Sequence, residues 1–166
     1  MKGEKKPISI DAALARAATL CSRGEQAVAD VHDRLLRWGL SVADADAVVS
    51  RLKEETFLNE DRYAVAFVRD KFRFNGWGRI KLAYGLKQKQ VSSQAIESAL
   101  SVIDEEEYRA RLLGLLQVKW RSVCNREPES ARASLLRFAA SRGFEPSVFY
   151  PAVETIVGGK CCDCCD

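Results

Sequence analysis

Glycine and proline cut this chain into short lengths, at Gly24, Gly39, Gly76 with Gly78, Pro128, Gly143, Pro146 and Gly158-Gly159. Between these points apolar residues recur at three- and four-residue spacing, and no sustained two-residue alternation occurs. That spacing lines one face of a helix, whereas a half-buried strand requires alternation. Glycine weakens a helix interior, and proline beyond the first turn removes a backbone donor and clashes with the preceding turn. The pattern therefore predicts an all-α protein of about nine short helices.

The helices read as a pattern repeated three times. Ser9 is placed to cap a first helix carrying Ala13, Leu14, Ala17 and Leu20. A second carries Val28, Val31 and Leu35 and ends near Gly39. Ser41 with Asp44 resembles a capping box and opens a third, with Val48, Val49 and Leu52. The sequence repeats this from Asn59, with Tyr63 and Phe67 on one helix, Ile80, Ala83 and Leu86 on the next, and Ile96, Leu100 and Ile103 after Ser92. A last set carries Tyr108, Leu112 and Leu115, then Leu135 and Ala139, then Phe149, Val153 and Ile156. Leu40, Val49 and Leu52 match Phe144, Val153 and Ile156 at one constant offset. The expected divisions are a flexible N-terminus over 1–8, helical units over 9–56, 57–103 and 104–157, and a disordered Cys-rich tail over 158–166. A three-helix unit alone closes only a small core, so stacked neighbours are expected to stabilise one another.

Charge is distributed unevenly. The net charge is only +3, yet between Arg62 and Lys89 the basic residues are Arg62, Arg69, Lys71, Arg73, Arg79, Lys81, Lys87 and Lys89, and the only acid is Asp70. Arg69 and Arg73 are one turn apart on a predicted helix and share a face. Phosphate contacts from such residues give affinity without base specificity. Phe72, Phe74 and Trp77 accompany the stripe; helical spacing assigns Tyr63, Phe67 and Phe74 to core packing, with base stacking as the alternative.

Several classes of chemistry lack the residues they need. His32, the only histidine, falls on the predicted Val28–Leu35 helix and reads as a surface or satisfied core residue, which leaves nucleophilic catalysis almost without support. Gly76-Trp77-Gly78 lacks the lysine, the length and the preceding strand of a phosphate-binding loop, and suits a turn between helices. In the tail, Cys161 with Cys164, or Cys162 with Cys165, has the spacing of half a zinc site, but no second ligand pair is present and Cys21 and Cys124 are isolated. No catalytic residue, metal or cofactor is expected. No apolar run approaches the ~20 residues that cross a bilayer, and Met1-Lys2-Gly3-Glu4-Lys5-Lys6-Pro7 leads into no apolar core. The expected location is the cytoplasm, without membrane association and with reduced thiols.

The run Leu58-Asn59-Glu60, Tyr63-Ala64, Phe67-Val68, Gly76-Trp77-Gly78, Arg79-Ile80 and Leu86-Lys87-Gln88-Lys89 closely resembles the RecX family, bacterial regulators of the recombinase RecA. Two departures stand out: Gln90 occupies a position where the family usually has Gly, and Gly85 one where Glu is common. The resemblance is strong over this segment, fair over about residues 10–56 and weak over the last third, and it does not include the cysteine tail. It implies tandem three-helix units in an elongated, curved helical-repeat molecule. It also implies a non-enzymatic regulator, mostly an inhibitor, that binds along the RecA–DNA filament and modulates ATP hydrolysis and strand exchange in homologous recombination, DNA repair and the SOS response. Arg69, Lys71, Arg73, Arg79, Lys81, Lys87 and Lys89 are the expected contacts to the RecA filament, or to DNA directly or through the filament. Two other readings stay open on the sequence: a direct DNA-binding helical protein, since short helices and tight turns also describe helix-turn-helix modules, and a helical adaptor for another protein.

Overall fold

The computed structural model describes residues 8–159; the N-terminal segment expected to be flexible, apart from Ile8, and all of the cysteine tail beyond Gly159 lie outside the described residues. Within them the chain is all-α, with nine helices and no strand: α1 Ile10–Ser22, α2 Val28–Arg37, α3 Val42–Glu54, α4 Glu60–Asn75, α5 Arg79–Gln88, α6 Ser93–Leu100, α7 Glu105–Arg121, α8 Pro128–Arg142 and α9 Pro146–Gly158.

Short polar side chains start many of these helices. The Ser9 hydroxyl accepts from the Ala12 N–H. Ser41 accepts from the Asp44 N–H while its own hydroxyl donates to the Asp44 carboxylate. Asn59, Ser92 and Asp104 accept from the N–H groups of Arg62, Ala95 and Glu107. Each bond satisfies a donor that the first turn leaves without an intrahelical partner.

The repeat is clearest where a second helix turns into a third. At Gly39, Gln90 and Gly143 the backbone enters the left-handed region, with φ of 96°, 58° and 84°. The next residue then donates its N–H five residues back: Leu40 to Leu35, Val91 to Leu86 and Phe144 to Ala139. This is the Schellman closure, and it is completed by an apolar residue just past the left-handed position. Leu40, Val91 and Phe144 are all buried.

The chain forms two compact units, the described parts of Met1–Ala66 with Leu86–Ser98, and of Phe67–Gly85 with Ala99–Asp166. The division falls inside α4, α5 and α6. In the first unit α1, α2 and α3 pack on one another around Ala13, Ala17, Val31, Leu35, Ala45, Val48 and Leu52. In the second, α7, α8 and α9 surround Tyr108, Leu112, Leu116, Leu135, Phe144 and Val153. Proline sits at the start of α8 and α9, and a further proline, Pro151, lies inside α9.

Three helix faces differ from the expectation. On α4 the buried stripe is Ala64, Val68 and Phe72; Tyr63 and Phe67 are half-buried, and Phe74 is 82% exposed rather than part of the core. On α5 Leu82 is buried and Ile80 is exposed, and on α7 Leu116 takes the place expected for Leu115. Two neighbouring stripes on each helix are apolar, and ring size favours the wrong one on α4. The stripe that is buried there begins with small residues, which permit closer helix approach.

Candidate basic interface

Helix α4 carries Arg69, Lys71 and Arg73 toward a C-terminus that is closed by two other arginines. Arg111 Nη2 donates to the Arg73 carbonyl and Arg142 Nη1 to the Asn75 carbonyl, each at 2.7 Å. Cations at this end meet carbonyls that have no intrahelical partner and the negative end of the helix dipole. Gly76, at φ 62°, then turns the chain out of the helix.

The turn that follows lies backbone to backbone against the turn between α8 and α9. The Gly78 N–H donates to the Arg142 carbonyl at 2.8 Å, and the Ile80 N–H to the Gly143 carbonyl at 3.0 Å. A Cβ on Gly78 would lie 2.3 Å from the Gly143 oxygen, and one on Gly143 would lie 2.4 Å from Lys81 Cβ. Nothing larger than hydrogen fits at either position, which gives the Gly-Trp-Gly sequence its structural reason.

This turn fixes Arg79. Its guanidinium lies 4.0 Å from the centroid of the Tyr108 ring. It bonds Glu105 at 2.7 Å and approaches Glu145 at 3.6 Å. The Tyr108 hydroxyl accepts from the Arg79 N–H at 3.0 Å and donates to Glu145. Burial, reinforced by that bond to Glu145, holds the Tyr108 phenol well above its ordinary pKa. Burial alone would lower Arg79, but the Glu105 hydrogen bond and charge outweigh it and keep the guanidinium above its usual range. Glu105 is correspondingly depressed, first by the hydrogen bond from Arg79 and then by its charge.

The other predicted residues of this unit are placed differently. Trp77 has Lys81 Nζ 5.0 Å and Lys71 Nζ 5.5 Å from its centroid, and meets Phe67 edge-on at 6.2 Å. Lys81 Nζ also donates to the Ser141 carbonyl at 3.4 Å. Arg69 and Arg73, both exposed, line a recess of about 360 Å³ with Phe72, Val102, Ile103 and Glu107. Arg73 reaches Glu107 only at 4.0 Å. In the first unit, Lys89 Nζ is held by both oxygens of Asp30, at 3.0 and 2.9 Å, whereas Lys87 is exposed.

The basic residues thus fall into two groups. Arg79 and Lys89 are engaged in close ion pairs. Arg69, Lys71, Lys81 and Lys87 make no ion pair among the described residues, and Arg73 has one long contact. Sequence reading did not find the partners Tyr108, Glu105, Glu145 and Asp30. Of these only Glu105 carries a local signal, the acidic run Asp104-Glu105-Glu106-Glu107, and acids favouring a helix start account for it.

Gly85 also has a structural explanation. A Cβ there would lie 2.8 Å from Phe67 Cζ, so the absence of a side chain leaves room for the ring that meets Trp77.

The fold is an all-α repeat with cations around its short turns, and comparison with known proteins gives its class. The family description "RecX, second three-helix domain" matches residues 59–100. The Regulatory protein RecX of Chromobacterium violaceum is 32% identical over 147 residues, covering 87% of this chain and 89% of the relative. That of Clostridium botulinum (strain Eklund 17B / Type B) is 33% identical over 129 residues, covering 76% of this chain and 60% of the relative. The crystal structure of RecX from Lactobacillus salivarius superposes with a TM-score of 0.80 at 14% identity, over 89% of this chain and 96% of that one, a likeness of fold. The chain belongs to the RecX family. It spans about 60% of the length of the clostridial relatives it matches. No described helix is long and apolar enough to cross a membrane.

Proposed function

We propose that the chain regulates RecA recombinase, mostly as an inhibitor, by binding along the RecA–DNA filament and modulating ATP hydrolysis and strand exchange in the cytoplasm. Family membership supports this reading, as does the concentration of cations on α4 and α5. The three tandem three-helix units over 9–56, 57–103 and 104–157 supply several modest contacts, which together give avidity without a strong single one. Arg69, Lys71, Arg73, Arg79, Lys81, Lys87 and Lys89 form the proposed interface. Within it Arg79 and Lys89 hold their segments in place, and the remaining cations face the partner.

The observation that carries the proposal is the recess at Arg69 and Arg73. Two exposed guanidiniums one turn apart share the recess with a single carboxylate, Glu107, which only Arg73 approaches, at the outer limit of an ion pair. Such a site has capacity for an acidic or phosphate group from outside. The test is RecA-dependent ATP hydrolysis on single-stranded DNA with the protein titrated in. The parent is expected to lower the rate. The Arg69→Glu/Arg73→Glu double variant is expected to lose most of that effect while its stability changes by no more than about 0.5 kcal/mol per site, as for ordinary surface substitutions. Equal inhibition by parent and variant would show the recess to be an ordinary solvated surface.

A further inference from the structure

A second basic surface lies in the last third of the chain, outside the residues that the family motif singles out. A shallow groove of about 430 Å³ is lined by Lys119, Arg126, Ser134, Arg137, Phe138 and Ser141. The lining holds three cations, an aromatic ring and two hydroxyls, and no acid. Among the described residues none of Lys119, Arg126 and Arg137 makes an ion pair. Glu127 and Glu129, the acids nearest in the chain, open α8 and do not line the groove.

Helix ends explain part of this charge. Lys119 lies in the last turn of α7 and Arg142 in the last turn of α8, where the dipole favours cations. They do not explain Arg126, in the α7–α8 connection, or Arg137, more than a turn from the end of α8.

The rings add a second, independent pattern. Phe138 has the Arg142 guanidinium 5.2 Å and Lys119 Nζ 6.0 Å from its centroid. Trp77, in the same compact unit, is flanked by Lys71 and Lys81 in the same way. The two clusters are joined, because Lys81 donates to the carbonyl of Ser141, which lines the groove beside Phe138. Cations alternating with partly exposed rings match a chain that alternates phosphates with bases, and a lone carboxylate would engage only one or two of them. We infer that this groove, continuous with the Trp77 cluster, binds the backbone of a single-stranded nucleic acid directly.

The test uses the whole chain and a labelled single-stranded oligonucleotide over a salt series, with no recombinase present and with poly-glutamate as the competing class of ligand. Each phosphate contact on a single strand contributes about 0.7 to the slope of log affinity against log salt. The Arg126→Gln/Arg137→Gln variant should therefore lose at least tenfold in affinity at low salt and about 1.4 in slope. The Arg126→Lys/Arg137→Lys variant should keep the parent slope, which ties the loss to charge rather than to folding. An unchanged slope in the Gln variant overturns the inference. So does a parent that binds poly-glutamate but no oligonucleotide, which would make the groove a surface for an acidic protein. Because recombinase is absent, failure here leaves the Arg69/Arg73 reading intact, and failure of that reading leaves this one intact.

Discussion

The first compact unit closes on small aliphatic side chains, among them Ala13, Ala17, Val31, Leu35, Ala45 and Val48, and keeps its ion pairs at the rim. Lys89–Asp30 and Arg62–Glu25 have side chains 30–45% exposed. The second unit closes on rings. Phe72 stacks on Tyr108 at 5.9 Å, Phe144 meets the same ring at 5.1 Å, and Arg79 covers it with a side chain only 25% exposed. Pairs exposed as in the first unit are typically worth between nothing and about 1 kcal/mol. An arginine stacked on a ring, bonded to one carboxylate and within ion-pair reach of a second, is constrained in position by all of them. The contrast shows that basic residues from one short motif serve two purposes. Local packing decides which cations hold the fold and which face outward.

The largest test of that contrast compares equivalent positions in the two units. Leu40 and Phe144 both complete a Schellman closure. Phe144→Ala is expected to destabilise the protein by about 3–5 kcal/mol, and Leu40→Ala, from a site already 8% exposed, by nearer 2 kcal/mol. Denaturant unfolding of the two variants measures the difference. Equal losses would mean that ring packing does not distinguish the units.

A finer test removes one oxygen. Tyr108→Phe keeps the ring but leaves the Arg79 N–H without its acceptor and takes from Glu145 the hydroxyl that donates to it. The expected loss is about 1–3 kcal/mol, the range for a buried polar group deprived of its partner. A melting temperature within error of the parent would show that the Arg79 cluster is held by stacking alone.

These clusters also mark how far the sequence could be read. Helix identity, the caps at Ser9 and Ser41, and the match between Leu40 and Phe144 were all legible, because each depends on local sequence pattern. The buried face of α4 was not, since two neighbouring stripes are apolar and the larger rings of Tyr63 and Phe67 mark the one that is only half-buried. The partition of the cations was also illegible. Asp30 lies 59 residues from Lys89, and Glu145 is still farther from Arg79 in sequence, and only the folded chain brings each pair together. The groove at Arg126 and Arg137 was missed for a related reason. Its cations Lys119, Arg126 and Arg137 lie 7 and 11 residues apart on two helices and their connection, and only folding brings them to one groove.

The smallest expected effect concerns the one second-to-third-helix junction that lacks glycine. Gln90 holds φ 58°, where Gly39 and Gly143 do the same work at equivalent turns. A left-handed conformation costs a residue with a Cβ roughly 1–2 kcal/mol, and glycine adopts it freely. Glycine also gives the unfolded chain more freedom, which takes back roughly 0.4–1 kcal/mol. The balance for Gln90→Gly is a gain of about 0.5–1 kcal/mol. Gly143→Ala makes the reverse change at a site where the added Cβ also meets Lys81, so its loss should be greater than the gain at Gln90. Melting curves for both variants decide the point. A Gln90→Gly protein no more stable than the parent would show that the glutamine side chain makes a compensating contribution at this turn, and that the three junctions are alike in geometry but not in energy.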